Sequence, residues 1–189
     1  MIYIYSKKPK EVIIKLTQPD VVTESYPEYD DGWIVDVLND SYNILEKTSN
    51  KKLSALHYDT ILVEIPRDFI TYGYNVPRDN ILEFLDKKLK FLGLNHYERN
   101  QFIVSWIRVL MKNDYTHVYF EINPEVVSRI ATGLEITPKP SNLAQIRILF
   151  EACNSDDVYK KQELHRIKRD GLSVVDLNAY AVNIRGIQR

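Results

Sequence analysis

Apolar positions fall into short alternating runs near both ends of the chain and take helical spacing in the middle. Ile2-Tyr3-Ile4-Tyr5 and Val12-Ile13-Ile14-Lys15-Leu16 flank Lys7-Lys8-Pro9-Lys10, which predicts two strands joined as a hairpin. Tyr26-Pro27-Glu28-Tyr29-Asp30-Asp31-Gly32 predicts a turn, since Pro, Asp and Gly adopt the backbone angles that turns require. Strands follow over residues 33–38 and, beyond the polar break Asn39-Asp40-Ser41, over 42–45. Residues 60–65 read as a strand stopped by Pro66, and 69–74 as one more.

The middle changes period. Ile81, Leu85, Leu89 and Leu92 recur at helical spacing, and Leu82 and Phe84 widen the stripe. Asp86, Lys87, Lys88 and Lys90 form the wet side, and Pro77 is assigned to the first turn. Gly93 is placed for a left-handed C-cap, with Leu94 as its apolar contact. Asn95 and Glu98 then form a capping box for a second helix. In that helix Phe102, Ile103, Trp106, Ile107, Val109 and Leu110 cover more than half the circumference, so it is expected to be mostly buried. The very short connection predicts that the two helices form an antiparallel pair.

Strand character returns over 115–122, and Pro124 opens a short helix that ends near Gly133. Residues 134–137 and 144–153 read as strands around Pro138-Lys139-Pro140. Residues 158–168 form either a basic helix or an extended arm, Gly171 ends it, and 172–177 make a final strand. Strands, then helices, then strands predict an α+β fold with a mainly antiparallel sheet. The expected organisation is one domain over residues 1–177 with a loosely held tail over 178–189.

Several of these pieces resemble, in order, an uncharacterised family of small α+β domains found in bacteria, fungi and large DNA viruses. Tyr26-Pro27-x-Tyr29-x-x-Gly32-Trp33 resembles its opening turn. Phe84-Leu85-x-x-Lys88-Leu89-x-x-Leu92-Gly93-Leu94 and Glu98-x-Asn100-x-Phe102-Ile103-x-x-Trp106 resemble its two helices. Asn113-x-Tyr115 with Phe120, Ile136-x-Pro138-x-Pro140 and Gly171-x-x-Val174-Val175 complete the pattern over about residues 26 to 177. The resemblance implies no activity. The Lys, Asn, Ile and Tyr bias suits an AT-rich genome, and a large DNA virus is the source the resemblance suggests. Many bacterial members look secreted; this chain departs from them in lacking a charged leader and apolar core. It also departs around Val37 and Ser41, where a Gly-rich hairpin is expected.

Composition narrows the function classes. A chain of 189 residues buries roughly 70% of its unfolded surface and needs no metal or disulfide staple. A net charge of −1 provides no global field toward nucleic acid or an anionic membrane. No run approaches the roughly 20 apolar residues of a membrane helix. Cys153 is the one cysteine, set in an apolar run, which fits a small buried thiol in a reducing compartment. The expected location is intracellular. Thirteen tyrosines are read mainly as half-buried sheet.

Candidate chemistry is sparse. All six glycines are isolated, so no phosphate-cradling loop can be placed. His57, His96, His117 and His165 form no helical metal-binding pair, and neither metal nor cofactor is expected. Cys153 lacks a visible activating base. Two surfaces remain. Tyr26, Tyr29, Asp30, Asp31 and Trp33, with Glu24, Glu28 and Asp36 nearby, could hold a protein partner or ligand, or act as paired carboxylates on a sugar. The same residues also suit a solvated acidic turn. Lys160, Lys161, Arg166, Lys168 and Arg169, continued by Arg185 and Arg189, are candidate phosphate contacts, with few aromatic residues interleaved. The leading expectation is a non-enzymatic binding or assembly protein with a protein partner or self-association. The alternatives are a carboxylate-dependent hydrolase acting on carbohydrate and a weak nucleic-acid accessory protein.

Overall fold

The computed structural model describes residues 1–38 and 43–183. The break expected at Asn39-Asp40-Ser41, and Arg185 and Arg189 of the basic stretch, lie outside the described residues. Strand makes up 39% and helix 25%, with mainly antiparallel sheets, so the α+β expectation holds. The chain divides into two units, each assembled from three separate segments: Met1–Ile65, Ile122–Ile146 and Arg169–Asn178 in the first, Pro66–Glu121, Arg147–Lys168 and Ala179–Arg189 in the second.

The first unit is a β-rich layer. β1 (Ile2–Tyr5) and β2 (Lys10–Leu16) do not pair as a hairpin. β1 instead pairs antiparallel with β12 (Ser173–Ala181), setting Ile2 opposite Asp176. β2 lies in a second sheet, between β4 (Trp33–Val37) and β10 (Leu134–Thr137). β5 (Ile44–Glu46) and β6 (Lys51–Leu53) extend that sheet beyond β4. β3 (Val22–Tyr26) pairs separately with β7 (His57–Thr60), and the short α3 (Pro124–Ile130) is capped by the Asn123 side chain. Alternation decides what is inside: Val12, Ile14 and Leu16 of β2 meet Trp33, Val35 and Val37 of β4 in one apolar cluster. Past Thr60 the expected strand does not continue. Ile61, Val63 and Ile65 lie exposed, and Ile61 and Val63 donate to the Val21 and Ile130 carbonyls.

In the second unit β9 (Tyr115–Glu121) pairs antiparallel with β8 (Tyr74–Pro77) and with β11 (Asn142–Ala152) over its 147–152 stretch. All of β9 except Tyr115 is buried, as are residues 144–151. Strands buried on both faces read as near-continuous apolar runs, which these do, apart from Thr116, His117, Glu121, Gln145, Arg147 and Glu151. Phe69 and Ile70, expected to open a strand over 69–74, belong instead to a single 3-10 turn, Arg67–Ile70, that buries Phe69. Pro77 ends β8 rather than opening a helix; α1 (Ile81–Leu92) starts four residues later.

The helix signals are local and they hold. α1 buries Ile81, Leu85, Leu89 and Leu92, and Gly93 closes it with φ 100° while Leu94 N–H donates to the Leu89 carbonyl. Asn95 caps α2 (His96–Leu110): its side chain accepts from the Glu98 N–H, and the Glu98 carboxylate accepts from the Asn95 N–H. Arg99 ties the two helices together through Asp86 at 2.7 Å. The expectation that α2 is mostly buried is corrected. Only Glu98, Phe102 and Leu110 are buried, and Val104, Ile107 and Met111 face solvent. Apolar breadth on a helix shows which sides lack charge, but not how many sides the fold covers.

The last strand also runs further than the expected tail boundary. β12 reaches Ala181, and Asn178, Ala179 and Tyr180 are buried. Asn178 donates to the Tyr58 carbonyl.

Candidate ligand-binding cleft

The acidic, aromatic turn around Trp33 is a structural corner. Trp33 is 1% exposed, its indole N–H donates to the Pro27 carbonyl at 3.0 Å, and Tyr29 meets its ring edge-on at 4.7 Å. The Tyr29 hydroxyl accepts from the Leu16 N–H. Asp31 pairs with Lys15 at 2.8 Å on the open surface, which raises the Lys15 ammonium pKa. Asp30 is exposed, and Tyr26, 51% exposed, has Lys51 over its ring. Trp33 and Tyr29 therefore serve packing, while the charged members stay in water.

The basic stretch has a different outcome. Residues 154–168 form an extended arm without regular secondary structure, pinned at several points of the second unit. Asn75 donates to the Asn154 and Asp157 carbonyls, and the Tyr159 ring stacks on His117 at 3.7 Å with the planes 1° apart. Lys160 N–H donates to the Thr71 carbonyl and Gly73 N–H to the Lys160 carbonyl. The Gln162 side chain both accepts from the Phe120 N–H at 2.8 Å and donates to its carbonyl at 2.9 Å, occupying the position of a further strand. Ile167 N–H donates to the Leu92 carbonyl just before Gly93. Gly73 has φ +142°, and a Cβ there would meet His117 Nε2 at 2.3 Å, so the arm's docking point demands glycine.

Between this arm and α1 lies a cavity of about 720 Å³. Tyr74, Lys87, Lys88 and Phe91 line one side, and residues 161–165 of the arm the other. A second cavity of about 570 Å³ shares Tyr74 and Lys161 and is also walled by Phe84, Val158 and Tyr159. Lys88 Nζ sits 4.1 Å from the Tyr74 ring centroid and 5.6 Å from that of Phe84. Burial lowers the Lys88 pKa below the usual lysine value. Burial also raises that of the Tyr74 hydroxyl, against the opposing charge of Lys161, and this hydroxyl donates to the Gln162 carbonyl at 3.1 Å. The cleft is lined by Lys87, Lys88, Lys161 and His165 and by one acid, Glu163, while Lys87 is paired with Glu83 of the same helix at 2.6 Å.

No family model, no curated protein and no solved structure matches this chain. The site's chemistry therefore rests on geometry alone.

Of the predicted phosphate contacts, Lys161 lines both cavities, whereas Lys160 stands near the Tyr72 ring. Arg166 and Lys168 are exposed and line neither cavity. Arg169 belongs to the first unit, where its guanidinium lies over Tyr5 at 5.4 Å. Sequence reasoning missed Tyr74, Phe84, Lys87 and Lys88, which it assigned to strand and helix faces, and Phe91, to which it gave no role. The signal available was the run Lys87-Lys88 with Phe91 one turn later.

Among the described residues, one group of three possible metal ligands also comes together: Glu24, His57 and Asp59, with ligand atoms within 4.8 Å of one another. Glu24 opposes Asp59 across the β3–β7 ladder, and His57 lies two residues away on the same face. His57 pairs with Asp59 at 3.6 Å, and its hydrogen bond holds the Asp59 carboxyl below its ordinary pKa despite partial burial.

Proposed function

We propose that this protein is a non-enzymatic binding protein and that an anionic partner enters the cleft between α1 and the arm. The observation that carries this reading is the convergence of Lys87, Lys88 and Lys161 with the Tyr74 and Phe91 rings in one 720 Å³ cavity. Ligand sites are typically concave, of about 300–1,000 Å³, with a few convergent polar groups among apolar walls. The arm's hydrogen bonds support a preformed site, which reduces the ordering cost of binding.

The test is a titration of the full chain with inorganic polyphosphate at low salt, repeated with Lys87→Glu and Lys161→Glu. Both are exposed positions whose reversal leaves the core alone. Binding that weakens on reversal supports the reading. An absence of binding, or binding indifferent to both reversals, removes it.

A second reading, self-association, is favoured by α2, where Val104 is 61% and Ile107 37% exposed, with Met111 at 40% just past the helix end. Sedimentation of wild type against Val104→Lys tests it, with a strict monomer at high concentration as the refuting result.

A further inference from the structure

Resting on the cleft as the binding site, we propose that its occupant is single-stranded nucleic acid, held by base stacking and phosphate pairing. The two cavities make the case together. Both are walled by Tyr74 and Lys161, so they follow one another along the arm. The first places Phe91, 55% exposed, beside Lys87 and Lys88. The second places Phe84 and Tyr159 with Val158, which is 92% exposed. Along the groove the walls read ring, cation, ring. A single strand repeats in the same way, with a flat apolar base, a phosphate and the next base.

Competing anions match only part of this pattern. Polyphosphate has the charge and no flat face. An acidic peptide has carboxylates but no ring at each repeat. A duplex hides its base faces in the stack, so stacking walls favour an unpaired strand. Lys161 supplies a phosphate contact that does not depend on sequence, Lys87 and Lys88 join it by exchanging Glu83 and the Tyr74 and Phe84 rings for phosphate, and the rings accept any base. Low sequence preference and marked salt dependence follow.

The experiment uses the full chain with fluorescently labelled oligo(dT) and oligo(rU) of about a dozen nucleotides, read by anisotropy between about 50 and 200 mM salt. Unlabelled polyphosphate, polyglutamate and a DNA duplex serve as competitors. The dT and rU arms report whether DNA or RNA is preferred. Phe91→Ala should weaken binding by about 5- to 100-fold, since one stacked base is lost. Lys161→Gln should reduce the slope of log affinity against log salt by about 0.7. If polyphosphate binds in the cleft while Phe91→Ala leaves oligonucleotide affinity unchanged, the nucleic-acid proposal fails and the anion-binding reading survives. A duplex that competes as well as a single strand also overturns it. If no anion binds even at the lowest salt, both fall.

Discussion

Replacing Tyr58 with Phe removes one oxygen from the interior of the first unit and keeps the ring. The Tyr58 side chain is 0% exposed, and its hydroxyl donates to the Asp176 carboxylate, with the two oxygens at 2.9 and 2.8 Å. Asp176 is itself 0% exposed and also accepts from Gln145 Nε2 at 3.1 Å. A hydrogen bond to a carboxylate contributes about 1.5–3 kcal/mol, and the desolvation of the buried acceptor is not recovered when its donor disappears. The Phe ring fills almost the same space, so no large cavity term is added. The expected loss is therefore about 1.5–3 kcal/mol. Urea unfolding followed by tryptophan fluorescence measures it, with Trp33 as a nearby reporter at 6.3 Å from the Tyr58 ring. A midpoint shift equivalent to less than about 0.5 kcal/mol, the range of an ordinary surface substitution, would refute the claim that this hydroxyl stabilises the buried carboxylate.

Asn95→Ala removes the side-chain half of the α2 capping box and should cost about 1 kcal/mol in the same unfolding assay; an unchanged midpoint would show that the cap is dispensable. Gly73→Ala places a Cβ against His117 at a positive φ and should cost about 1–3 kcal/mol from backbone strain alone, with protease sensitivity of the 154–168 arm as a second readout. Burial pushes the Glu46 carboxyl up, but hydrogen bonds from Ser49 and Thr48 outweigh it and hold the pKa below the usual glutamate value. A folded-state value below the unfolded one means this stabilisation is present above the ordinary glutamate range and is lost as pH falls through the folded value. Glu46→Gln should flatten that acid-side loss, and an acid unfolding profile identical to wild type would contradict it. Phe91→Ala should shift the thermal midpoint by no more than about 0.5 kcal/mol equivalent, because the ring is 55% exposed; a larger loss would mean that Phe91 is a packing residue.

What could be read in advance follows from how far each signal travels along the chain. Gly93, Asn95 and Glu98 specify their caps within four residues, and those caps are present. The β2 and β4 alternation likewise fixes which side chains face inward. Pairing partners were not legible: Pro9 and its lysines suggested a hairpin, yet β1 meets β12 from the far end of the chain. Trp33 looked like a binding aromatic because an acidic turn precedes it, but indole N–H satisfaction by Pro27 is a tertiary fact. The cleft was half visible. Lys161 and Tyr159 come from the arm, whereas Tyr74, Phe84 and Phe91 come from β8 and α1, far away in sequence. The arm itself carries no periodicity because its backbone groups are satisfied by Thr71, Gly73 and Leu92 rather than by a helix or a hairpin.

The interleaving of segments bears on how the protein is made. Ile2 finds its ladder partner at Asp176, and the second unit needs residues 147–168 to cover β9 and dock beside α1. A ribosome thus releases β1 and β2 long before either has its full complement of neighbours. Closing such distant pairings is slow, and exposed strand edges invite association meanwhile. Each unit draws on segments from both halves of the chain, so neither can be excised whole as one continuous fragment.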